Sequence, residues 1–129
     1  MSFNFIDSDI NKKTQGVWVK KDGNRFLIGA PSTLKATECL EKHVKKVQGK
    51  RKDYKLKASE QYECTVMTVV DLKLLGWEVT DRNGDEIKYS ASNAKNALIN
   101  DSEFLEWVNE QSADHELFDK DKREKSVKK

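Results

Sequence analysis

Residues 74–118 read LLGWEVTDRNGDEIKYSASNAKNALINDSEFLEWVNEQSADHELF. An apolar run halts at Gly76, and an Asn83-Gly84 turn follows. Two short amphipathic segments then open on helix-capping residues, Ser90 and Asp101. A capping oxygen satisfies one of the backbone N–H groups that a helix leaves unpaired at its start. Ser90 therefore predicts a helix over 91–99 that buries Ala94, Ala97 and Leu98. Asp101 predicts a second over 102–111 that buries Phe104, Leu105 and Val108. Trp77 and Val79 are placed to face Ile87 and Tyr89 across the turn as a small hairpin. The stretch holds no nucleophile, metal cage or phosphate loop, and points to a protein that works by binding.

Working upstream, SEQYECTVMTVVDLKLL predicts a helix from Ser59 to Leu75 with Gly76 as its stop. Tyr62, Val66, Met67, Val69, Val70, Leu74 and Leu75 make its apolar surface broad, as befits a central, buried helix. The β-branched run CTVMTVV also suits a strand, but length and the following stop signal favour helix. Before it, GKRKDYKLK (49–57) is a basic connector. Further upstream, Leu34, Cys39, Leu40, His43, Val44 and Val47 mark one face of a helix capped by Ser32 and ending near Gly49. Its other face carries Lys35, Glu38, Lys42, Lys45 and Lys46. GVWVKKDGNRFLIGA (16–30) reads as a β-hairpin: Val17–Val19 and Phe26–Ile28 are its strands and Asp22-Gly23 its turn. There is no internal repeat.

These elements predict a predominantly helical α+β fold: an N-terminal β-hairpin, two longer helices and two short C-terminal ones. Residues 1–15 are expected to be a loosely held arm, 16–112 the folded domain, and 113–129 a charged, disordered tail. Charged residues make up 36% of the 129-residue chain, above the roughly 25% of ordinary domains, so the core should be modest. The formal net charge is only +2, so no overall field attracts polyanions. The start has no basic, apolar leader pattern, and no run reaches the roughly 18 apolar residues of a membrane span. The expected setting is a soluble cytoplasmic protein, without membrane contact and with reduced thiols.

Several constellations resemble functional sites. Cys39 and His43 are four apart, so both could face one metal ion. Zinc needs four ligands, and no third or fourth is evident, so no metal or other cofactor is expected. As a nucleophilic pair they lack an orienting acid and an oxyanion loop. Asp81, Asn83, Asp85 and Glu86 resemble a calcium loop, but the twelfth position is Ser92 where a bidentate Glu is needed. No catalytic residue is assigned. Lys42 to Lys57 is strongly basic, with Lys45, Lys46, Arg51 and Lys52 as candidate partner contacts and Tyr54 able to stack on a base. A small nucleic-acid-binding protein is therefore the alternative reading. It is disfavoured, since no recognition helix or aromatic RNA-binding pattern accompanies the charges. Between Asn96 and Asp119 there is no Lys or Arg, while acidic residues accumulate. Copies could associate head to tail through these opposite patches.

Taken in order, GVWV…DG…FLI, two long helices, W-E-V…D-x-N-G…I-x-Y-S and N-A…L…D…F…W-V before a charged tail resemble the tail assembly chaperones of long-tailed phages with non-contractile tails, prophage copies included. The similarity spans Gly16 to Phe118. It is strongest at Trp77, Asp81, Gly84, Ile87, Tyr89, Ser90, Asn93, Ala94, Leu98 and Phe104. Ala30-Pro31 and the heavy basic connector depart from it. The resemblance implies a protein of the host cytoplasm that coats the helical tape-measure protein and helps recruit tail-tube subunits. Many such proteins are made in two forms, the longer one through a ribosomal frameshift, and Lys128-Lys129 is compatible with a slippery codon pair. For such a client, Phe104, Leu105 and Trp107 are the candidate aromatic and aliphatic anchors, exposed if the two short helices open as a pair.

Overall fold

A computed structural model describes residues 15–118. Strands β1 (Val17–Lys21) and β2 (Asn24–Ile28) form the expected hairpin. Its turn places Asp22 at φ 51° and Gly23 at φ 82°, the positive values that a two-residue turn matched to strand twist demands. Helix α1 (Thr33–Gln48) follows, then α2 (Ala58–Leu72), β3 (Leu74–Thr80) and β4 (Glu86–Ile87). Helices α3 (Ala91–Asn100), α4 (Ser102–Ala113) and α5 (His115–Phe118) complete the described chain. The fold is α+β and predominantly helical.

The predicted caps are in place. The Ser32 hydroxyl accepts from the Lys35 N–H at 3.1 Å, the Ser90 hydroxyl from Asn93 at 3.0 Å, and the Asp101 carboxylate from Phe104 at 3.1 Å. The β-branched run is helical in α2. Thr65 and Thr68 return their hydroxyls to the carbonyls of Gln61 and Cys64, four residues back, so neither needs another partner. Valine costs at most about 0.7 kcal/mol relative to alanine in a helix. Burying its side chain contributes about 1.5–3 kcal/mol. Val66, Val69 and Val70 are all buried on α2, and that burial outweighs their propensity.

The expected helix over 59–75 is too long. It ends at Leu72, and Leu74 to Thr80 run back as a strand antiparallel to β2. Leu74 and Leu75 continue the apolar spacing of the helix, which is why periodicity alone extends it. The outer edge of β2 carries unpaired backbone groups that must find partners, and β3 supplies them. The pairs are Arg25 with Glu78, Phe26 with Trp77, Leu27 with Gly76 and Ile28 with Leu74. Leu75 is the extra residue, so the strand bulges there. The two expected hairpins are thus one four-stranded antiparallel sheet in the order β1-β2-β3-β4. Val79 pairs with Ile87 as expected. Tyr89 lies beyond β4, with its ring edge-on to Trp77 and its hydroxyl donating to the Leu74 carbonyl at 2.6 Å.

One core joins the layers. Val17, Phe26 and Ile28 from the sheet meet Val66, Val69 and Val70 of α2, Leu74 of β3, Ala94 and Leu98 of α3, and Leu105 and Val108 of α4. Phe118, on α5, is only 1% exposed and belongs to the same cluster. Residues 113–118 therefore fold onto the domain and do not belong to a charged tail. The arm at 1–14 and the tail at 119–129 lie outside the described residues.

Candidate functional site

Helix α1 buries none of its residues. Ala36, Cys39, Leu40, His43, Val44 and Val47 are half-buried, a stripe at helical spacing that rests on α2. Leu34 falls off this stripe and is 70% exposed, contrary to its expected place on the packed face. The seam is incompletely closed. A groove of about 300 Å³ runs between Ala36, Thr37 and Leu40 on α1 and Thr65, Thr68 and Val69 on α2. Lys73 and Asn109 close one end, with the Lys73 ammonium donating to the Asn109 amide oxygen at 3.0 Å. Burial holds the Lys73 pKa below its ordinary value.

The predicted anchors divide. Leu105 is 8% exposed and lies in the core. Phe104 and Trp107 are half-buried and pack on Phe26, with ring centroids 5.2 and 5.4 Å away. The Lys21 ammonium sits 5.6 Å from the Trp107 ring. A second cleft of about 300 Å³ opens beside Phe104, walled by Lys21, Asp22, Asp101 and Glu103. Opening α3 and α4 as a pair would strip Ala94, Leu98, Leu105 and Val108 from the core. No residue of that core lies on α1.

The basic connector is ordered by its own side chains. Arg51 donates to the Val47 and Gln48 carbonyls at 2.9 and 3.3 Å, closing the end of α1. Its guanidinium lies 3.9 Å from the Tyr54 ring centroid. The Tyr54 hydroxyl donates to Glu60 at 2.5 Å, and the same carboxylate oxygen accepts from the Lys57 N–H at 2.8 Å. Tyr54 thus has one face covered and its polar tip engaged, a poor platform for a nucleic-acid base. Lys45, Lys46 and Lys52 stay exposed. On the acidic side Glu103, Glu106, Glu110, Asp114 and Glu116 are exposed, while Asp119 lies outside the described residues.

The acidic loop between β3 and β4 is a self-contained turn. The Asp81 carboxylate accepts from the Asn83 and Asp85 N–H groups at 2.8 and 3.0 Å, the usual way an Asp side chain braces a turn.

Cys39 and His43 gain a partner that sequence spacing does not reveal. Asp71, on the last turn of α2, places Oδ2 2.7 Å from His43 Nε2 and 3.5 Å from Cys39 Sγ. An acid does hold His43, supplied by the neighbouring helix. The Cys39 thiol is raised above its ordinary pKa by burial, and further by the Asp71 hydrogen bond and charge. An activated nucleophile needs the opposite shift. Among the described residues no helix is long and apolar enough to cross a membrane.

A family model described as YdaY prophage protein matches residues 29–129. Comparison with curated proteins gives no match, and comparison with solved structures gives none either.

Proposed function

The chain belongs to the YdaY prophage protein family, and from that premise we propose that it is a tail assembly chaperone. It binds the helical tape-measure protein during tail morphogenesis in the host cytoplasm and helps recruit tail-tube subunits, without catalysis. The observation that carries this reading is α1: sixteen residues long, amphipathic, with none of them buried. A helix packed on one neighbour along a half-open seam can accept the apolar stripe of another helix in the groove beside it. The exposed charges of α1, Lys35, Glu38 and Lys42 among them, favour a complex that forms and later releases. Phe104 and Trp107 offer a second apolar patch beside an acidic rim.

The test is co-expression with the long helical protein encoded among the tail genes of the same prophage. The soluble fraction of that protein should rise several-fold when the chaperone is present. An unchanged fraction, together with no co-purification at low salt, ends the proposal.

A further inference from the structure

We propose that Cys39, His43 and Asp71 form a binding site for one divalent ion of the zinc class, bridging α1 to α2. This site is separate from client binding and does not rest on the tail-chaperone reading. Cys39 and His43, four residues apart on α1, share one face of the helix. Asp71 meets them from α2, and the three ligand atoms all lie within 4.8 Å of one another. Sulfur, imidazole nitrogen and carboxylate oxygen together suit zinc, which takes each of these donors.

Two of the three spacings lie close to what zinc requires, and the third is within 4.8 Å. Tetrahedral zinc, with bonds of about 2.0–2.3 Å, sets its ligand atoms roughly 3.3–3.8 Å apart. Cys39 Sγ and Asp71 Oδ2 already stand 3.5 Å apart. His43 Nε2 and Oδ2, at 2.7 Å, share a hydrogen bond. Opening that pair by about 0.7 Å puts the ion where the proton now sits. Binding displaces the Cys39 thiol proton to solvent, along with any proton held between His43 and Asp71. Asp71 is exposed and the other two are half-buried, so an ion can enter from water. Three protein ligands leave a fourth position for water or a partner's side chain.

The experiment uses the full chain without a histidine tag, reduced and stripped with chelator, titrated with Co²⁺. The expected result is one equivalent bound, with visible bands of four-coordinate intensity and a thiolate-to-cobalt charge-transfer band that Zn²⁺ bleaches. Cys39→Ser should remove the charge-transfer band. His43→Gln and Asp71→Asn should each weaken binding by more than about tenfold. Cys64→Ser should leave the spectrum intact, because Cys64 is the other cysteine and is only 2% exposed. Circular dichroism of the metal-free variants separates ligand loss from unfolding, and zinc should raise the Tm of the wild type but not of Cys39→Ser. The proposal is overturned by a wild-type spectrum lacking the charge-transfer band at millimolar cobalt. It is equally overturned by a spectrum that survives all three ligand substitutions.

Discussion

The Ser112 hydroxyl donates to the Gly29 carbonyl at 2.8 Å, joining the end of α4 to the residue after β2. Both residues are buried, and the Gly29 N–H donates to the Lys73 carbonyl at the α2–β3 junction. Gly29 is thus the point where sheet, central helix and C-terminal helices are fastened together. Ser112→Ala leaves a buried carbonyl without this donor, which costs about 1–3 kcal/mol. Urea denaturation should show the midpoint falling with an unchanged slope. A variant as stable as the wild type would mean that the carbonyl finds another donor.

Phe118 is the largest of the fully buried side chains, although it stands at the edge of a charged terminus. Phe118→Ala should cost about 3–5 kcal/mol, the range for removing a buried aromatic ring. Thermal denaturation measures it directly. Behaviour like that of a surface substitution, within about 0.5 kcal/mol, would place the ring outside the core.

The Tyr54–Glu60 contact makes a pH prediction. The Tyr54 hydroxyl, and next the Lys57 N–H, hold the Glu60 carboxyl below its ordinary value of 4.5. A carboxyl depressed in the folded state adds stability above its unfolded pKa. That stability is lost as pH falls through the folded value. Glu60→Gln should therefore flatten the acid side of the stability profile. In an NMR carboxyl titration of Tyr54→Phe, the Glu60 midpoint should move up toward the ordinary value. At the alkaline end the sign reverses. Glu60 raises the Tyr54 phenol, so its contribution is present at neutral pH and fades as pH rises through the folded value.

Leu34 offers a test of client binding that leaves the fold alone. Being 70% exposed, it should tolerate Leu34→Asp with a stability change within about 0.5 kcal/mol. On the proposed function the same substitution puts a charge one helical turn from Thr37 of the α1 groove and should reduce co-purification of the helical client. Leu40→Asp, inside the groove, should do the same at a larger cost in stability. If Leu34→Asp and Leu40→Asp both retain full client recovery, α1 is not the docking wall.

Much of the local structure is legible in the sequence because short-range chemistry decides it. Ser32, Ser90 and Asp101 start helices since their side chains reach backbone N–H groups three residues ahead. Asp22-Gly23 turns the first hairpin since few other residue pairs accept its dihedral angles. The candidate sites are less legible. Spacing places Cys39 beside His43 but says nothing of Asp71, 28 residues beyond His43. The basic composition of the connector likewise hides that Arg51 and Tyr54 are occupied with each other.

By itself, then, the sequence determined where the four longer helices begin, where the first hairpin turns and most of which faces are apolar. Only the tertiary structure decided that Leu74 and Leu75 leave the helical stripe for a strand, that Phe118 enters the core, and that Ser112 meets Gly29. The physical reason is range. Capping and periodicity act over three or four residues, whereas these contacts depend on which sheet edge and which buried carbonyl lack a partner once distant segments have packed.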